Sequence, residues 1–155
     1  MKFYKLNKEK SLEVYNKNNL LLEEKQCYTN TFMIVTEYRE KFKLGLWKVA
    51  YGYMKIAKNM NLYCRHAFVL DENNDVIDAT LALLCDNKLS NTSQNIDEES
   101  NIEDKYIVMK VFDKVEEYIS ALEENDRYVA LETYLHKEDA KLLEWSMKNN
   151  IFLCG

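Results

Sequence analysis

The 155-residue chain carries a formal charge of −5, 47% hydrophobic residues and four cysteines, with a pI near 5.2. That length and apolar content fit one domain able to fill a core without disulfide or metal staples. Lysines scattered among acids exclude the concentrated basic surface of a nucleic-acid binder, no window suits a membrane span, and the polar start lacks a signal-peptide core, so the expected compartment is the cytosol.

Residues 1–6 read as a short strand and 8–22 as a helix, with Leu12, Tyr15 and the cluster Leu20, Leu21 and Leu22 on its apolar side. From Cys27 to Phe42, the residues Thr31, Ile34, Val35, Tyr38 and Phe42 recur at helical spacing, with Glu37, Arg39, Glu40 and Lys41 mostly opposite. Cys27 stands at the start of this helix, where unpaired backbone N–H groups and the helix dipole favour a thiolate. Gln26 and the amide of Cys27 or Tyr28 are candidate donors to an oxyanion formed beside the sulfur. Asn30 joins Gln26 and Tyr28 as a candidate substrate-binding residue, although a residue of its type also serves the first turn of a helix.

Residues 46–54 and 61–70 are rich in aromatic and β-branched side chains and read as strands, as does 76–84. Between the last two, Asp71, Glu72, Asn73, Asn74 and Asp75 are turn formers, which makes 65–80 a hairpin. His66 stands in its first strand and Asp78 early in its second, so the ladder can set imidazole beside carboxylate. Residues 87–104 form a polar, solvated loop, with an acidic run at 96–104. Residues 106–112 return to strand composition, and Asp113 is placed to cap a helix at 114–124 that faces inward through Val115, Tyr118, Ile119 and Leu122. Residues 128–135 are a strand or an extended link, 137–149 a helix packed through Ala140, Leu143 and Met147, and 151–154 a terminal strand.

The cysteines, at 27, 64, 85 and 154, are too widely spaced for a disulfide framework in a cytosolic chain and read as thiols, Cys85 and Cys154 as small buried hydrophobes. A zinc site drawing on Cys64, His66 and Cys27 with Cys85 or Asp78 lacks the close cysteine pair that such sites show, so no metal is expected. His136, at a helix start beside charged residues, reads as surface.

The order of elements is thus a helix led by cysteine, then strands carrying histidine and aspartate: an α+β fold with an antiparallel sheet packed against an N-terminal Cys-bearing helix. Cys27-Tyr28-Thr29-Asn30 opening a helix, Val49-Ala50-Tyr51-Gly52-Tyr53 on a strand, His66-Ala67-Phe68 on the next and Ile77-Asp78-Ala79-Thr80 after it resemble the core of the papain-like and transglutaminase-like cysteine enzymes. The likeness covers about residues 26–83. It departs from the family where Ala79 replaces a common proline and Phe68 a more usual tryptophan. The resemblance implies a papain-like core in which Cys27 is the nucleophile, His66 the base and Asp78 the residue that fixes the imidazole tautomer. It implies a protease, amidase, deamidase or transglutaminase acting on an amide, isopeptide or thioester of a protein or peptide-like substrate, with no cofactor. The rival expectation is a non-catalytic interaction module on the same fold, such as an accessory or inhibitory protein of a phage or mobile element.

Overall fold

The computed structural model describes residues 2–57, 59–89 and 106–154, and for 85–89 and 132–139 the backbone alone. Among these residues six strands run in chain order as β1 (Phe3–Tyr4), β2 (Lys48–Lys55), β3 (Leu62–Leu70), β4 (Val76–Ile77), β5 (Tyr106–Phe112) and β6 (Phe152–Cys154). Six helices accompany them among the described residues: α1 (Lys8–Asn18), α2 (Cys27–Glu37), α3 (Arg39–Lys43), α4 (Ala79–Leu89), α5 (Val115–Glu124) and α6 (Glu132–Lys148).

The strands form one sheet in the order β1-β5-β2-β3-β4, antiparallel throughout, with β6 added parallel to β3. β2 occupies one edge of β3 along its whole length, so β4 and β6 share the other. β6 pairs with residues 62–64 and β4 with 69–70. Among the described residues no strand lies beside 65–68 on that edge, and His66 lies in this window.

One side of the sheet buries Val49, Tyr51, Ala67 and Val69 under Ile34 and Val35 of α2 and Tyr118 and Leu122 of α5. The helix expected over 27–42 breaks at Tyr38 into α2 and α3, but its inward set of Thr31, Ile34, Val35 and Phe42 is buried, with Tyr38 partly so. Each such aliphatic side chain contributes about 1.5–3 kcal/mol on burial. Tyr51 anchors an aromatic cluster, edge-on to Tyr28 at 5.2 Å and to Phe112 at 5.6 Å. A second cluster joins Ala50, Met54, Phe68, Leu70, Val76 and Tyr106.

Gly52 is where β2 needs a missing side chain. The β2–β5 register slips between Tyr51 and Gly52, and a Cβ at Gly52 would run into the carbonyl oxygen of Ile107. The bulge brings β5 against β2 beside His66, the cross-strand partner of Gly52.

Several expectations need correction. The strand expected over 76–84 is only Val76–Ile77, and the rest of the segment is the helix α4, because Asp78 leaves the ladder and caps it. Asp113 caps nothing: it pairs with Lys48 at 3.0 Å, and the residue before α5 is Lys114, without a side-chain cap. Residues from Glu132 on are helical rather than extended. The inner face of α6 is Leu142 and Ser146, with Trp145 half-buried, whereas Ala140, Leu143 and Met147 are exposed. In the leucine cluster after α1 only Leu22 is buried.

The cysteines also differ from expectation. Cys64 and Cys154 are register partners on β3 and β6, with Cα atoms 4.6 Å apart, and form a disulfide. Parallel neighbouring strands place their side chains close enough for the bond, which the distance in sequence concealed. Cys64 is therefore no thiolate ligand for a metal. The side chains of Cys85 and His136 and the stretch 90–104 of the expected polar loop lie outside the described residues.

Candidate active site

Cys27 opens α2, and the chain turns into that helix through Lys25, whose φ is +60°. Gln26 occupies the N-cap position, exposed and without a side-chain cap bond, while its carbonyl accepts from the Asn30 amide at 2.8 Å. Asn30 itself is buried. Its Oδ1 accepts from the Glu23 amide at 2.9 Å, and its Nδ2 donates to the Glu23 carbonyl at 2.7 Å and to Thr80 Oγ1 at 2.9 Å. Those bonds tie the 23–26 loop and α4 to the first turn of α2, so Asn30 holds the cysteine in place from behind. Tyr28 lies half-buried against Tyr51.

His66 projects from the middle of β3 and packs on Phe68, ring centroids 6.2 Å apart. Its Nε2 shares a 2.8 Å hydrogen bond with Asp78 Oδ2, inside a site where both side chains are buried. The expected pairing is present, although Asp78 reaches it from a helix cap and not from a ladder. Every edge of that carboxylate is engaged. Oδ1 accepts from the Leu81 amide at 2.9 Å, Oδ2 accepts also from the Tyr106 hydroxyl at 2.7 Å, and the Asp78 amide donates to Ser11 Oγ at 2.9 Å. The turn that delivers Asp78 is fixed in the same way: Asp71 Oδ1 accepts from the amides of Asn73 and Asp75, and Oδ2 takes Lys10 Nζ at 3.0 Å.

Cys27 is near enough to the imidazole to help raise its pKa. With Nε2 held by Asp78, Nδ1 is the ring nitrogen left for the thiol. Burial by itself would discharge His66, yet the field and hydrogen bond of Asp78, with Cys27 beside them, outweigh it and push the imidazole up to about 10. Burial likewise opposes the Asp78 charge, but His66, the Leu81 amide and the Tyr106 hydroxyl hold its carboxyl below the ordinary range.

Cys27, His66 and Asp78 are thus brought together. Gln26 and Tyr28 are the chain neighbours of Cys27, and Asn30 ties the first turn of its helix to the 23–26 loop and α4. Tyr106 and Ser11 belong to the site and escaped the sequence reading, because their bonds to Asp78 span 28 and 67 residues. Tyr106 reads there only as the first residue of a strand, and no local pattern marks its hydroxyl.

No protein-family model, curated protein or solved structure matches the chain. The site stands on its geometry. Chemically, a thiol beside an imidazole that is oriented by a buried carboxylate can lose its proton to the ring and attack an electrophilic carbon. Among the described residues no group of histidine, cysteine and carboxylate side chains suits a metal ion, and no helix is long and apolar enough to cross a membrane.

Proposed function

We propose that the chain is a cysteine-dependent acyl-transfer enzyme with a papain-like or transglutaminase-like core, acting on an amide, isopeptide or thioester of a protein or peptide-like substrate. The observation that carries this reading is the convergence of Cys27, from a helix start, on an imidazole that Asp78 holds by Nε2. Cys27 attacks the acyl carbon, His66 takes the thiol proton and returns it to the leaving group, and Asp78 keeps the ring in one orientation. The backbone amides at the start of α2 and the exposed Gln26 side chain supply donors for the oxyanion. Water or an amine then takes the acyl group from the thioester.

A specific observation favours a second reading, the interaction module: Cys27 is only 9% exposed, which suits a packed thiol as well as a shielded nucleophile. The compartment is affected by the disulfide. Such bonds persist in oxidising spaces and are rare in the reducing cytosol, so the Cys64–Cys154 bridge weighs against the expected location.

Alkylation with limiting iodoacetamide under non-reducing conditions, mapped by peptide mass spectrometry, tests the reading with Cys85 as internal control. The enzyme reading expects Cys27 to react first and to slow by about a hundredfold or more in His66→Ala, the lower end of general acid–base assistance. If Cys27 reacts no faster than Cys85, or is indifferent to His66, the interaction module replaces the enzyme.

A further inference from the structure

The Asp78 carboxylate has a donor besides His66, and the fold is arranged to deliver it. Tyr106 begins β5, two strands away from His66, with β2 lying between. Its ring is fully buried, packs at 5.0 Å on Phe68 and lies 6.4 Å from the His66 ring. Its hydroxyl donates at 2.7 Å to Asp78 Oδ2, the oxygen that also bonds His66 Nε2. Cross-strand partners in a sheet project to the same face. The residue paired with His66 on β2 is Gly52, which has no side chain to fill the space beside the imidazole.

We propose that Tyr106 is a positioning residue of the Cys27–His66–Asp78 site, fixing through its hydroxyl which oxygen of Asp78 meets the imidazole and keeping that carboxylate ionised. The proposal rests on the enzyme reading above. A carboxylate joined to its protein by one peptide amide alone can pivot about its Cα–Cβ bond. Here the Leu81 amide pins Oδ1 and the Tyr106 hydroxyl pins Oδ2, so the imidazole meets a carboxylate with one orientation. A phenol hydroxyl can donate this bond without bringing a charge to the site. The buried carboxylate gains a charge-assisted bond from a neutral partner, without a second cation that would compete with His66. Tyr106 touches neither the sulfur nor an attacked carbon, so its effect passes through Asp78.

The test compares wild type, His66→Ala and Tyr106→Phe, a change that removes one oxygen and keeps the ring. Expected is a fall of roughly tenfold or more in the Cys27 alkylation rate of Tyr106→Phe, the scale of one hydrogen bond to a charged group. The acid limb of the rate–pH profile should also move to higher pH, because Asp78 takes up a proton more readily without the hydroxyl; a merely structural role would leave that limb unmoved. An unaltered rate and profile in Tyr106→Phe, with His66→Ala slowed, overturns the proposal and spares the enzyme reading. An unaltered rate in His66→Ala overturns both. The wild type supplies a check that needs no variant: proton NMR should show a slowly exchanging Tyr106 hydroxyl proton with a nuclear Overhauser contact to the ring of His66, one of two histidines in the chain. Absence of that contact overturns the proposal.

Discussion

At the scale of single residues, the His66–Asp78 pair ties stability to pH on both sides. The imidazole is raised from its ordinary 6.5 to about 10. A raised base stabilises the folded chain fully below 6.5 and loses that contribution as pH climbs through about 10. Asp78 is held below its ordinary 3.8, so its contribution is present above that value and is lost as pH falls below it. The thermal midpoint should therefore be highest between 3.8 and 6.5 and decline on either side. Calorimetry of wild type and His66→Ala across that range and up to about pH 11 measures the alkaline decline, which the variant should lack. A wild-type midpoint that stays level from 6.5 to 10 would count against the buried ion pair.

At the scale of elements, the Gly52 bulge is the feature most sensitive to a single methyl group. Gly52→Ala forces its Cβ against the Ile107 carbonyl, and either β2 or β5 must retreat. A cost at the upper end of about 1–3 kcal/mol, typical of overpacking, should appear in denaturant unfolding. Full stability in that variant would mean that the bulge is slack. The elements also show what the sequence carries. The helix from Cys27, the turn at 71–75 and the strands β2, β3 and β5 are marked by periodicity and by turn formers, and all are present, although the helix is broken at Tyr38. Helix α4 was misread because a short apolar run does not distinguish a strand from a helix. Its signal was Asp78 itself, an N-cap type directly before Ala79. In α6 the sets Ala140, Leu143, Met147 and Leu142, Trp145, Ser146 are both at helical spacing. Only the partners decide between them: Leu142 meets Tyr53, Tyr63, Ile107 and Ile151, while Trp145 packs 5.9 Å from Phe3.

At the scale of the whole molecule, Cys64 and Cys154 were legible as residues but not as a pair, since their closeness depends on β6 returning to β3 after 90 residues. The loop they close is long, and its opening should lower stability by about 2–4 kcal/mol. A dithiol reductant or Cys154→Ser should therefore shift the thermal midpoint down by several degrees, read by circular dichroism. An unchanged midpoint would show that β6 holds without its bond.

The same bond divides the chain into two topological parts. Residues 64–154 form a closed covalent ring, and His66, Asp78 and Tyr106 are all members of it, whereas Cys27 belongs to the open N-terminal arm. One backbone cut anywhere in the ring leaves a single molecule with the base, its carboxylate and the tyrosine still linked. One cut between residues 27 and 64 instead yields two molecules, with the sulfur on one and its partners on the other. The nucleophile and the apparatus that serves it are thus held together by packing and a single strand of backbone, while that apparatus is joined to itself twice.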